Sequence, residues 1–329
     1  MEYTIFNKSR INMGALNMSN PDFSKNLFIT YLDEVKTYTL GDYSFINIVS
    51  ISMKKSYYIN NIETKWKNLR EKYSIPDGTC LHFTDIKALL NKSNFYRPIE
   101  ERNLQIEKVF CNGNILDKEK LYNFYSDIID IINECEFDIL VTGIRQERNR
   151  GFKQHKKQLQ NIWYALFKQH LDNLAEYMTC KSDNSKNKKK KIYSTKLRFD
   201  GDQDLESRDN IRYAYADVMC NGTSRFNTEH CRNCFDSLKF VGKDEVGVAN
   251  GISHAGNELL DFIALYAAKY FSKDMMIDDY KKFKELKGEV VSDEEIKEYV
   301  DKNIKIYIGE KEIYPHKVIE KKIYKNKLF

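Results

Sequence analysis

Three carboxylates recur in one kind of setting. Asp33 closes the run Leu27 to Asp33 (Leu-Phe-Ile-Thr-Tyr-Leu-Asp), Asp200 follows the alternating run Tyr193 to Phe199, and Asp261 sits among Leu259, Leu260, Phe262 and Ile263. Aromatic and β-branched residues make the first two runs strands that end in an acid, while the third acid lies in an apolar helix over 253–271. A carboxylate near a buried face costs on the order of several kcal/mol unless it is paired or holds a cation. Hard divalent cations held by carboxylates can activate water, neutralise a phosphate and stabilise a leaving oxygen, which is the chemistry of phosphodiester cleavage. Asp33 and Asp200 also fit ordinary strand ends, and Asp261 a helix surface; spacing alone leaves both readings open.

Other polar residues could join them. Glu34 follows Asp33, and Glu258 lies three residues before Asp261 and so shares its helix face. His82 and His254 could move protons beside a metal; His254 follows Ser253 at a helix start, where capping competes. Cys220, His230, Cys231 and Cys234 could hold zinc, but only Cys231-Arg-Asn-Cys234 has knuckle spacing, so free thiols are the reading preferred. Lys188 to Lys191 could touch phosphates, although a solvated loop accounts for them. Gly251 to Gly256 opens like a phosphate loop, but Asn257 and Glu258 stand where Lys and Ser or Thr are required.

These side chains need a scaffold. Phe45 to Met53 reads as an antiparallel partner of 27–33, joined by a fairly long loop with Gly41-Asp42 as the turn. Helices are expected over 59–73, 84–90 with Thr84 as N-cap, 117–133, 153–178, 207–220 and 253–271, with further strands over 137–144, 193–199 and 237–241. In 117–133 the residues Leu121, Phe124, Tyr125, Ile128, Ile129 and Ile132 mark one apolar face. Residues 180–191 read as an exposed polar loop. The more charged tail reads as an appendage, with a helix over 293–302 and strands over 304–308 and 317–324.

Composition bounds the rest. With 329 residues and 42% hydrophobic content the chain can bury one large core or two modest ones. A net charge of +5 is compatible with a polyanionic partner, though 31% charged residues of both signs blunt that inference. Seven scattered cysteines form no disulfide framework. No run approaches the ~20 apolar residues needed to cross a bilayer, and residues 1–20 lack a basic region followed by an apolar core. The expected compartment is the cytoplasm, with no membrane partner.

Four ordered motifs carry a resemblance: Tyr31-Leu32-Asp33-Glu34 on an early strand, Leu81-His82-Phe83 before a helix, Leu197-Arg198-Phe199-Asp200 on a strand after a long helix, and Ser253 with Leu260-Asp261-Phe262-Ile263-Ala264. Over roughly residues 27–272 the chain resembles the family called domain of unknown function 3800, to which a ribonuclease-H-like fold is assigned. The resemblance implies that Asp33, Asp200 and Asp261 are metal-binding carboxylates, with Glu34, His82 and Ser253 as accompanying polar residues. Val35 and Lys36 stand where Ser-Gly usually follows, Leu259-Leu260-Asp261 replaces Leu-Ala-Asp, and Cys80 occupies the place of an expected acid. A fourth ligand is therefore open among Asp85, Glu63, Asp202 and Glu258.

The expectation is an α/β chain: a ribonuclease-H-like mixed sheet flanked by helices over 1–275, with an appendage over 276–329. Its expected activity is metal-dependent hydrolysis of DNA or RNA phosphodiesters with Mg2+ or Mn2+, using Asp33, Asp200, Asp261 and His82, with Glu34 and Glu258 as further ligands. The alternative is a catalytically inactive module that binds nucleic acid, or a protein partner through the C-terminal tail.

Overall fold

The computed structural model describes residues 27–40, 43–91, 95–147, 156–183, 193–201, 205–241, 255–303 and 323–327. Its main sheet contains β1 (Leu27–Leu40), β2 (Tyr43–Lys54), β3 (Asp138–Glu147), β4 (Ser194–Asp200), β5 (Phe235–Val241) and β6 (Ile323–Lys327). Its helices of more than one turn are α1 (Glu63–Lys72), α2 (Phe83–Ala88), α3 (Leu104–Phe110), α4 (Lys118–Glu134), α5 (Lys156–Asp183), α6 (Leu205–Asn221), α7 (Thr228–Cys234), α8 (Ala255–Leu286) and α9 (Asp293–Asn303).

The strand order is β5-β4-β1-β2-β3-β6. β1 and β3 both run antiparallel to β2, whereas β4 is parallel to β1 and β5 parallel to β4. This is a mixed sheet flanked by helices, the α/β class expected. Among the described residues no helix is long and apolar enough to cross a membrane.

Strand alternation divides the core. Ile29, Tyr31 and Val35 pack with Phe124, Leu259, Phe262 and Ile263 on the face covered by α1, α4 and α8. Phe28 and Leu32 point the other way, onto Phe167, Leu171 and Leu174 of α5 and Ile211 of α6. Leu197 and Phe199 share that second face, so Arg198 and Asp200 alternate toward α8. α4 forms as its periodicity predicts, starting where Asp117 accepts from the Lys120 amide at 2.9 Å.

Three expectations need correction. The first hairpin is longer: β1 runs on through Val35 to Leu40, where Leu40 pairs with Tyr43, because Val35, Thr37 and Thr39 extend the β-branched pattern past Asp33. Asp33 is therefore inside a strand, not at its end. Thr84 is not the cap of α2; His82 holds that place, in extended conformation and with no side-chain cap bond of its own. Finally, the boundary expected between 275 and 276 falls inside α8, whose buried face continues through Met275 and Met276. β6, near the end of the expected appendage, joins the main sheet parallel to β3. The expected turn at Gly41-Asp42, the lysine run at 188–191, Asp202, Ser253, His254 and the strand over 304–308 lie outside the described residues.

Candidate active site

Sheet register places two acids side by side. β1 and β4 pair in parallel up to Leu32 opposite Phe199, and Asp33 and Asp200 are the next residues on each strand. Both point to the α8 face, as Tyr31 and Arg198 do two residues earlier. Neighbouring strands lie about 4.8 Å apart, so the two carboxylates leave the sheet as adjacent groups.

The third acid comes from the helix above. Asp261 lies on α8, between core residues Leu260 and Phe262, and its Oδ2 accepts from the Phe83 amide at 2.7 Å. That amide opens α2, so Asp261 caps a helix that lacks a side-chain cap of its own. His82, one residue earlier, holds Nδ1 3.7 Å from the same Oδ2.

These residues line one cleft of about 340 Å3: Asp33, Asp200 and Asp261 with Glu34, Lys36, His82 and Phe83 among its walls. Four segments distant in sequence thus deliver side chains to one place. Glu34 alternates to the opposite pleat from Asp33 but still borders the cleft, with Lys36 Nζ 3.8 Å from its Oε1. The donors are hard oxygens plus one imidazole, a set that fits Mg2+ or Mn2+ better than a thiophilic ion. Among the described residues, no group of three or more His, Cys, Asp or Glu is already placed to hold a metal ion. The acids border an open cleft and do not form a closed cage.

Compared with known proteins, the chain matches no family model and no curated protein.

Glu258 is the member of the expected ligand set that the structure employs elsewhere. Fully buried, it faces Arg70 Nη1 at 3.1 Å and accepts from Trp66 Nε1 at 2.6 Å and from the Leu81 amide at 2.8 Å. With three donors on two oxygens, and no place in the cleft wall, it is a core ion-pair residue. Of the other fourth-ligand candidates, Asp202 lies outside the described residues and neither of the remaining two lines the cleft. Asp85 accepts from Asn103 at 3.0 Å, and Glu63, whose carboxyl burial pushes up while a hydrogen bond from Tyr58 opposes it, stands outside the cleft wall.

The cysteine cluster also has separate partners. Cys231 and Cys234 are buried in the layer under α5, Cys220 is exposed, and His230 bonds Thr179 at 2.9 Å and stacks on Phe226. Burial raises both buried thiols, Cys234 to about 12, which disfavours the thiolate a zinc site needs.

Lys36 and Phe83 are cleft residues that sequence reasoning did not select. Lys36 had been visible only as a departure from the family pattern. Arg70 and Trp66 carry no signal in the sequence, where both are ordinary positions of the helix expected over 59–73.

Proposed function

We propose that the chain is a metal-dependent nuclease that hydrolyses nucleic-acid phosphodiester bonds at this cleft. The single observation that carries the reading is the shared cleft of Asp33, Asp200, Asp261 and His82. The resemblance to the domain of unknown function 3800 family supports it independently, because that pattern selects the same four residues. Asp33, Asp200 and Asp261 are the ligands for Mg2+ or Mn2+, with Glu34 at their margin. When bound, such an ion supplies charge neutralisation at a phosphate and a more acidic water.

The chain's own groups do the rest. Asp261, fixed by the Phe83 amide, orients the imidazole of His82, and His82 holds a proton for the departing oxygen. Lys36, exposed at the rim, meets a phosphate next to the scissile one. Val35, Ala264 and Leu265 add apolar wall to the cleft and offer no ligand that would compete for the ion.

The test is a Mn2+ titration followed by melting temperature and by cleavage of labelled single-stranded and duplex DNA and RNA. A Mn2+-dependent rise in melting temperature and cleavage, both absent in Asp33→Asn, is the expected result. No shift in either protein would refute the enzyme and leave a module that binds nucleic acid or a protein without cutting.

A further inference from the structure

We propose that Glu258, with Arg70 as its counter-charge, is the positioning residue that holds His82 in the cleft. The inference deepens the nuclease reading and rests on it for what His82 does, but not for how His82 is placed.

The stretch from Pro76 to Phe83 has little regular structure, yet it is tied down along its length. Arg70 Nη2 donates to the carbonyls of Pro76 at 3.0 Å and Thr79 at 2.7 Å. Glu258 Oε1 accepts from the Leu81 amide, and one helical turn later Asp261 Oδ2 accepts from the Phe83 amide. Residues 81 and 83 are thus pinned to one face of α8, and His82 between them is turned outward into the cleft.

Arg70 and Glu258 are 5% and 0% exposed. A buried ion pair is seldom retained for stability alone, since apolar groups of similar volume often serve as well. Here the pair does something an apolar substitute could not: it presents an acceptor to a backbone amide adjacent to a site residue. Trp66 Nε1, bonded to Oε2, fixes the carboxylate's rotation so that Oε1 faces Leu81. Partners one step removed from a metal ligand set commonly alter affinity 10–100-fold when lost.

Two full-length variants separate positioning from mere packing. Arg70→Met with Glu258→Gln, made like its counterpart on Trp66→Phe so that no indole donor competes for the one amide oxygen, keeps an acceptor for Leu81 and leaves no buried charge unpaired. Arg70→Met with Glu258→Met keeps apolar bulk and removes the acceptor. Each is read by amide hydrogen exchange at Leu81 and Phe83, by the NMR signals of the His82 ring, and by titration with Mn2+ alone. The Met/Met variant is expected to exchange about tenfold faster at both amides than the wild type while the amides of β2 stay protected. Its His82 ring signals shift, and Mn2+ binds about tenfold more weakly. The Met/Gln variant is expected to keep the wild-type pattern. Wild-type exchange and ring signals in Met/Met, or their loss in Met/Gln, overturn the proposal; the Met/Gln result decides alone if Met/Met does not fold. Exchange and ring signals need neither metal nor substrate, so a wild type that ignores Mn2+ sinks the nuclease reading without touching this result.

Discussion

Asp200→Asn should stabilise the metal-free protein. Asp33 and Asp200 stand on adjacent parallel strands, one residue past the last paired position and on the same face. With about 5 Å between two unit charges, Coulomb repulsion is about 3 kcal/mol at an effective dielectric constant of 20 and about 1 kcal/mol in bulk water. Asp200 is buried and Asp33 partly so, which puts the expected gain between these limits, about 1–3 kcal/mol. Asparagine keeps the shape and one acceptor oxygen. The assay is urea denaturation in EDTA of the wild type, Asp33→Asn, Asp200→Asn and the double variant. If repulsion is the cause, either single substitution captures nearly the whole gain and the second adds little, giving a coupling of 1–3 kcal/mol by size. Raising salt should shrink it in part. Destabilisation by Asp200→Asn, or strict additivity in the double variant, would refute the argument that the two acids face each other.

The remaining predictions concern the core and the order of binding. His170 is fully buried between Ser50 and Thr142, and burial lowers its pKa to about 3. The unfolded chain then takes up a proton below its ordinary pKa of about 6.5 while the folded one does not, so stability is full above that pH and falls by about 2 kcal/mol on going to pH 5; acid titration of His170→Asn should be flatter by that amount. Gly256→Ala should destabilise by about 1–3 kcal/mol in urea despite alanine's higher helix propensity, because the added Cβ would lie 2.1 Å from the Tyr31 ring. A catalytically idle variant, His82→Ala, should bind a labelled oligonucleotide measurably only after Mn2+ is added, by fluorescence anisotropy; equal binding in EDTA would show that the acids do not govern access.

Much of this architecture is legible in the sequence because strands and helices announce their buried faces. Leu27 to Asp33 is rich in apolar, aromatic and β-branched residues, Tyr193 to Phe199 alternates, and the 3.6-residue stripe of Leu121 to Ile132 marks α4. Less legible are features set by partners far away in the chain. The continuation of β1 to Leu40 depends on pairing with β2, and the parallel pairing of β3 with β6 joins residues about 180 positions apart. His82 is invisible to periodicity; its residue type makes it a proton-moving candidate, and only the family resemblance sets it apart from His254. Glu258 and Asp261 lie one turn apart on the same apolar helix, and the local pattern does not show that only one of them reaches the cleft. Their difference comes from Arg70 and Trp66 on α1, whose arrival beneath Glu258 no local pattern discloses.

Charge explains why that difference matters. Glu258 has a guanidinium within 3.1 Å and needs nothing further. Among the described residues the cleft wall, by contrast, holds four acids, Asp33, Glu34, Asp200 and Asp261, against one fixed positive charge on Lys36, a formal charge of −3 that becomes −2 when His82 carries its proton. A polyanion approaching such a wall is repelled until the excess is cancelled, and Lys36 is too exposed to cancel much of it. One divalent cation brings the wall to −1, or to zero with His82 protonated, and two bring it to a net positive charge. Only at the second count does the wall attract an anion, so on the proposed nuclease reading the same acids would both activate the reaction and make cation binding the condition for substrate entry.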